Sequence, residues 1–344
     1  MTLLDDMLPL VPAYLQQADL TAVDAMAAGP CRVEPLAQGE YNLNYRLDNG
    51  SARPLVLRVN IGTQIDRKDQ IQYEYGALKL LADSGVTPTP FYVDDTRRWL
   101  DHGVLIMGYL SGGPLDYRRD LAAAARVLAA VHQVPVADED NHLIREQAPL
   151  SLIFEECDRL LRQYLESPLA DPDIAHYLSD LREWMRAARH RERFYQRDPW
   201  PCIVNTEVNS GNFIVDRRRG AAYLVDWEMP RWGDPSQDLA HFCSPLTTLW
   251  KTDYRMTDDQ RRTFMGQYRR NIRDHHLADT LDERLRLREP FVLLRGICWS
   301  AMGWVAYQTQ FAGARNADTW QTLQRYLRLP FIRSIFDPVM ATAP

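Results

Sequence analysis

Three oxygen-bearing side chains stand at a telling spacing in the second half of this 344-residue chain. In Asn205-Thr206-Glu207-Val208-Asn209-Ser210-Gly211-Asn212-Phe213 a carboxylate, Glu207, is followed five positions later by an amide, Asn212. Fourteen positions further on, a second carboxylate, Asp226, ends the apolar run Leu224-Val225. Phosphoryl transfer uses such a set: one carboxylate orients the attacking hydroxyl, and an amide oxygen and a second carboxylate hold Mg²⁺ on nucleotide phosphates. Glu207 is therefore the candidate base, and Asn212 and Asp226 are the candidate metal ligands. Hard oxygen donors suit Mg²⁺ better than zinc.

The elements that must position these groups can be read from the pattern. Before residue 112 short β-rich runs dominate: CRVEPLA, NLNYRLD, PLVLRVN, PFYVDD and HGVLIMGYL, with alternating apolar residues and interleaved turn residues. One helix interrupts them, roughly Asp69 to Asp83, with Ile71, Tyr75 and Leu78 on one face. After SGGPL (Ser111 to Leu115) the chain turns helical, with long segments expected near 257–275, 279–308 and 317–335. The exception is Cys202 to Asp226, where NFIVD and AAYLVD flank DRRRG and read as a hairpin. The expected organisation is a helical extension over 1–30, a small β lobe over 31–111 and a helical lobe over 112–344. The last holds the hairpin region 202–228 and a helical insertion at 137–200.

With these elements in place, the sequence resembles the aminoglycoside phosphotransferase and choline kinase-like small-molecule kinases. Their pattern is H-G-D-x-x-x-x-N followed by a strand ending D-[FW]-[ED]. Asn212, Asp226-Trp227-Glu228 and the downstream GDPSQDLAHF (Gly233 to Phe242) match it, while Asn205 replaces the His and Glu207 the catalytic Asp. Gly39-Glu40-Tyr41-Asn42-Leu43-Asn44 is similar to the family's phosphate-covering loop. Arg58 stands where the family has a phosphate-contacting cation, and Glu74, sixteen positions on, where it has the ion-pair partner. Leu105 to Leu110 looks like the hinge, where Met107 and Tyr109 would flank adenine.

The resemblance implies an α+β, bilobal, protein-kinase-like fold with a small antiparallel β-sheet N-lobe and a large, mainly helical C-lobe. It implies transfer of the γ-phosphate of ATP, or alternatively GTP, with Mg²⁺, to a hydroxyl of a small molecule. Gly39, Asn42, Asn44, Arg58, Glu74, Met107 and Tyr109 would bind nucleotide. Asn205, which can donate to a neighbouring backbone carbonyl, Glu228 and Asp238 would serve substrate or structure, Asp238 bracing the loop. Glu is one methylene longer than Asp, so a rival reading keeps nucleotide binding and lets the catalytic loop decay into a pseudokinase acting through a partner. A kinase for a protein or a large glycan is a third.

Composition narrows the alternatives. With 46% hydrophobic and 25% charged residues the chain is of ordinary globular type. Its net charge of −6 offers no basic surplus for a nucleic-acid backbone. Five scattered cysteines (Cys31, Cys157, Cys202, Cys243, Cys298) make no zinc spacing or disulfide framework and suggest a reducing, cytoplasmic home. The start, MTLLDDMLPLVPAYL, carries no Lys or Arg before Arg32, against a secretory signal. The uncharged run Gly296 to Ala314 contains Ser300, Gln308, Thr309 and Gln310 and reads as a buried helix, so no membrane partner is expected. No protein partner can be inferred. Walker and GxSxG patterns are absent.

For the acceptor, residues 137–200 carry 14 Asp and Glu against 9 Lys and Arg, with Glu155, Glu156 and Asp158 clustered. Such a cluster could attract an aminoglycoside or a choline-like amine, or could be a solvated face. Trp299, Trp304, Tyr307 and Phe311 could line an amine or sugar pocket, or could be core. The adjacent His275 and His276 point to different faces and make no metal pair.

Overall fold

The computed structural model describes residues 2–23, 31–50, 53–250, 252–309 and 317–342. The architecture is bilobal α+β, an N-terminal antiparallel β-sheet lobe and a large, mainly helical C-terminal lobe. By contacts the chain forms two units. One is Met1–Leu115 with Val134–Ile144 and Gly211–Pro230; the other is Asp116–Gln133, Arg145–Ser210 and Arg231–Pro344.

The first unit is built on five antiparallel strands: β1 (Arg32–Gln38), β2 (Asn42–Asp48), β3 (Leu55–Asn60), β4 (Pro90–Asp94) and β5 (Gly103–Gly108), in the order β1-β2-β3-β5-β4. Side chains alternate across a strand, so the sheet has two chemically different faces. One carries Leu43, Tyr45 and Leu47 of β2, Leu55, Leu57 and Val59 of β3, and Val104 and Ile106 of β5. The N-terminal helices Leu3–Met7 and Leu10–Gln17 cover it through Met7, Val11 and Tyr14. Residues 24–30 of the expected extension lie outside the described residues. The opposite face receives the even-numbered residues Asn42, Asn44, Arg46 and Arg58, together with the apolar Val56 and Met107, which pair across strands. The helix Gln70–Leu80 packs in this unit and brings Glu74 to Arg58.

The expected hairpin forms from Phe213–Asp216 and Ala221–Leu224, with Ala221 opposite Asp216. Its turn is set by Asp216, whose Oδ1 accepts from the amides of Arg218 and Arg219 at 3.0 and 3.1 Å, and by Gly220 at φ 66°. The sequence reading placed this hairpin in the helical lobe, but it packs with the β-rich unit. Gly113–Pro114 pairs with its first strand, and the Leu224 amide donates to Val86 O at 2.8 Å. Gly112, at φ 151°, is required here, because a Cβ would lie 2.8 Å from Ile214 Cγ2 and from the Val215 backbone.

In the second unit Cys202–Val204 pairs antiparallel with Arg231–Gly233. The helix Leu121–His132 packs on this pair, and a separate helical core is drawn from Pro149–Leu165, Pro172–Ala188, Leu281–Gln308 and the C-terminal helices. Two expected helices are broken. The 317–335 segment is two helices, Ala317–Tyr326 and Leu329–Thr342, because Pro330 disfavours a helical residue before it and suits a first turn. The 257–275 segment ends at Asn271, and Asp274 caps a new turn, His275–Asp279, by accepting from Leu277 N. His275 and His276 are exposed. Among the described residues no helix is long and apolar enough to cross a membrane.

Candidate active site

The β-rich unit gathers a buried polar cluster on the even-numbered face of its sheet. Arg58 Nη1 lies 2.5 Å from Glu74 Oε1 and 3.0 Å from Asp226 Oδ1, and its Nε donates to Asn44 Oδ1 at 3.0 Å. Arg58 and Glu74 are both buried. Burial opposes the guanidinium's charge, yet Glu74, Asp226 and Glu228 outweigh it and raise the pKa. Burial pushes the Glu74 carboxyl above its usual range, with Arg58 pulling the other way.

The hairpin register brings the two candidate metal ligands together. Phe213 pairs with Leu224, and the next rung is a bond from Val225 N to Asn212 O at 2.8 Å, so Asn212 stands beside the residue that precedes Asp226. Asp226 then leaves the strand in the left-handed region, φ 65°, a conformation Asp tolerates better than most residues. Its side chain is 30% exposed and contacts Arg58 through one oxygen. Among the described residues no cluster of three or more His, Cys, Asp or Glu forms a metal cage. A single carboxylate next to an amide is a donor set that fits Mg²⁺, which takes few protein ligands and completes its shell with phosphates and water.

Gly39 and Asn42 close the β1–β2 loop, Gly39 N donating to Asn42 O at 2.8 Å. Asn42 donates from Nδ2 to Glu228 Oε2 at 2.6 Å and accepts from Asn60 at 3.0 Å. Gln64 reaches the other Glu228 oxygen at 3.3 Å, and Gln70 donates to the Glu228 carbonyl at 2.6 Å. Glu228 thus ties the loop to the segment after Asp226. At the hinge Met107 is buried and the Arg46 guanidinium lies over the Tyr109 ring, 5.0 Å from its centroid. The Gly108 and Tyr109 amides donate to Thr89 O and Pro54 O at 2.9 and 3.1 Å.

The helical unit holds the loop Asn205-Thr206-Glu207. Asp238, fully buried on the helix Ser236–Cys243, accepts from the Asn205 and Thr206 amides, both at 2.8 Å. His132 contacts the same carboxylate at 3.2 Å and Tyr268 at 2.9 Å through its other nitrogen. Asn205 Oδ1 accepts from the Glu207 amide at 3.1 Å, a bond within the loop itself. Thr206 has φ 74°, which explains why a Gly suits this position in the H-G-D pattern. His132 and Tyr268 were missed from sequence; the signal was a histidine at the end of a helix, Leu121–His132, that is apolar apart from Arg126.

The acidic cluster on the Pro149–Leu165 helix does not survive as a cation trap. Glu156 meets Arg295 Nε at 2.9 Å and Arg231 at 3.6 Å, while Asp158 meets Arg162 at 2.9 Å and Arg182 at 3.6 Å. Only Glu155 is exposed. The helix rotates 100° per residue, so adjacent acids face different neighbours. The aromatic set is likewise spent on packing: Trp299 against Trp250, Trp304 against Tyr164 and Tyr307 stacked on Trp320. Phe311 lies outside the described residues.

Residues 32–288 match the model of the phosphotransferase enzyme family. The chain belongs to that family. No curated protein matches this phosphotransferase-family chain. Among solved structures it is similar to a candidate aminoglycoside phosphotransferase from Ralstonia eutropha, at 16% identity and TM-score 0.65, covering 98% of this chain and 99% of that one. It is also similar to an ethanolamine kinase from Plasmodium vivax, at 14% identity and TM-score 0.62 over 93% and 86%. A choline kinase from Cryptosporidium parvum matches at 10% identity and TM-score 0.62 over 97% and 96%. At these identities the likeness establishes the protein-kinase-like fold of the phosphotransferase.

Proposed function

We propose that the protein transfers the γ-phosphate of ATP to a hydroxyl of a small molecule. The observation that carries this reading is the buried Arg58–Glu74 pair bonded on to Asp226, in a chain of the phosphotransferase family. Arg58 would contact the phosphates, with Glu74 holding its guanidinium. Asn42 and Asn44, on the same face of β2, would lie along the nucleotide, with Gly39 letting the loop approach closely. Val56 and Met107 offer an apolar surface for adenine beside Tyr109. With the Gly108 and Tyr109 amides already bonded, base recognition would use carbonyls or later amides, a pattern compatible with GTP as the alternative donor.

Asn212 and Asp226 would hold Mg²⁺, which supplies charge neutralisation on the β- and γ-phosphates when bound. Glu207 would orient the acceptor hydroxyl and take its proton. Its intrinsic pKa is close to that of Asp, so the chemistry is available to it. The Asp238 brace on residues 205 and 206 fixes the loop from which it acts, and positioning is most of what a phosphoryl transfer asks of the protein. The names of the similar structures point to amino alcohols and aminoglycosides as first acceptors to try.

The test is Mg²⁺-dependent ADP release against a panel of amino alcohols, aminoglycosides and sugars. Release that depends on one acceptor supports the reading. Nucleotide binding without turnover on any acceptor would favour the pseudokinase alternative, and absence of nucleotide binding would overturn both.

A further inference from the structure

The proposed reaction gives no part to Tyr73, yet its hydroxyl is the point where three segments of the β-rich unit meet. Tyr73 is buried on the helix Gln70–Leu80, next to Glu74. Its hydroxyl donates to Pro230 O at 2.5 Å and accepts from the Ile144 amide at 3.1 Å. The ring is held as well. Asp69 grips the Arg67 guanidinium at 3.0 and 2.6 Å, and that guanidinium lies over the ring, 4.4 Å from its centroid. His142 meets the ring edge-on, with centroids 5.6 Å apart. Gly76, one turn further along, admits His142, because a Cβ there would lie 2.6 Å from its Nε2. Glycine inside a helix is ordinarily unfavourable, and this close approach accounts for it.

The helix has little local support at its start. Asp69 precedes it without a side-chain capping bond, its carboxylate being spent on Arg67. Its placement therefore rests on bonds to other segments, and residues 70, 73 and 74, which share one face, supply them to one stretch of chain. Gln70 Nε2 donates to Glu228 O at 2.6 Å, and Tyr73 donates to Pro230 O. Glu74 is joined to Asp226 through Arg58, whose Nη1 lies 2.5 and 3.0 Å from the two carboxylates. A slide of the helix along this stretch would draw Glu74 away from Arg58, or Arg58 away from Asp226 and from its bond to Asn44. Tyr73 adds a second attachment, to the segment that ends at Ile144.

We propose that Tyr73 is a positioning residue for the Arg58–Glu74–Asp226 linkage, its hydroxyl fixing the helix against the chain that follows Asp226 and against Ile144. The inference rests on the reading of Arg58 as the cation that contacts nucleotide phosphates. Tyr73 itself touches no phosphate in this account. It sets the height of Glu74 on the helix, and through Glu74 the direction of the Arg58 guanidinium.

The test is a cycle of four proteins: wild type, Tyr73→Phe, Glu74→Gln and the double variant, with Mg·ADP affinity measured by calorimetry on each folded protein. Tyr73→Phe keeps the ring and its contacts with Arg67 and His142 and removes both hydroxyl bonds. It is expected to weaken Mg·ADP binding by about 5- to 30-fold in the Glu74 protein, the scale of one or two lost hydrogen bonds felt at a coupled site. In the Glu74→Gln background the same substitution is expected to cost no more than about twofold, because the helix no longer has that charge to place. Equal losses in both backgrounds, or no loss in either, would overturn the proposal. Should Glu74→Gln fail to fold, a second readout, which needs only Tyr73→Phe, decides.

That readout needs no nucleotide. In ¹⁵N-arginine-labelled protein the Nε–H of Arg58, bonded to Asn44, and that of Arg284 in the helical unit, bonded to Thr280, are each assigned by their loss in the corresponding Lys variant. In Tyr73→Phe the Arg58 Nε–H should exchange with solvent about tenfold faster than in wild type, while the Arg284 rate is kept. Unchanged exchange at Arg58 would overturn the proposal, and so would equal acceleration at both arginines, which reports a general loosening. A wild type that binds no Mg·ADP counts against the proposed function, and the exchange rates then decide this inference separately.

Discussion

The Arg58 guanidinium lies 3.0 Å from the Asp226 carboxylate, joining β3 to the end of the hairpin across 168 positions of sequence. The same nitrogen contacts Glu74 at 2.5 Å, so one cation links a helix, a strand and the candidate metal ligand. This linkage gives Arg58 a structural role beside the nucleotide-binding role proposed for it, and the two can be separated.

Arg58→Met leaves Glu74, only 1% exposed, without its cation. The expected cost is about 3–5 kcal/mol, read by urea unfolding. Combining Arg58→Met with Glu74→Leu removes both buried charges and should recover most of that loss, while Mg·ATP affinity stays low. A double variant as unstable as the single would contradict the ion-pair account.

Asp238 accepts two consecutive loop amides with two oxygens. Asp238→Asn turns one acceptor into a donor facing an amide, and the expected loss is about 2–3 kcal/mol for a buried, charge-assisted set. Because the brace acts on the loop that carries Glu207, kcat should fall while nucleotide affinity, measured by calorimetry, is kept. A fall in affinity without a fall in kcat would contradict that division.

What the sequence disclosed follows the physics of each element. β1 to β5 were legible because Leu43, Tyr45 and Leu47 alternate with Asn42, Asn44 and Arg46 on a sheet with one apolar face. Arg58 and Glu74 were legible as a spaced pair on a strand and a helix. The hairpin was legible, but not the unit it joins, since Val86 and Gly113 lie far away in sequence. The long helix was legible, but not that Arg284 and Arg288 near its start are fully buried. Arg284 meets Asp234 at 2.5 Å and Asp198 at 2.9 Å, and Arg288 meets Glu146. Their partners stand 50 to 142 positions away, beyond any local pattern. The acidic cluster was ambiguous for the same reason: Arg295, Arg231 and Arg182, which meet Glu156 and Asp158, come from other elements.

Thr206 holds a β-branched side chain at φ 74°, a conformation whose strain costs about 1–3 kcal/mol. Thr206→Gly relieves it against an unfolded-state entropy cost of about 0.5–1 kcal/mol. Thermal unfolding should show stability equal to wild type or higher. A loss of more than about 1 kcal/mol would contradict the strain.

Burial, and secondarily the Arg295 charge, lowers the His241 pKa from 6.5 to about 4. The unfolded chain therefore binds a proton that the folded chain refuses between those values. The stabilising contribution is complete above pH 6.5 and is lost as pH falls towards 4, by up to about 3 kcal/mol. Urea unfolding of wild type and His241→Gln at pH 7 and pH 4.5 should show a steeper acid loss in wild type. Parallel losses would contradict the lowered pKa.

The proposed phosphotransfer depends on Glu207 as its base. The most direct measurement is acceptor-dependent ADP release by wild type, Glu207→Ala and Glu207→Asp, with Mg·ADP affinity measured in each. Glu207→Ala is expected to lose about 10²- to 10⁴-fold in kcat with nucleotide affinity unchanged, and Glu207→Asp to retain turnover. Turnover that persists undiminished in Glu207→Ala would contradict the account.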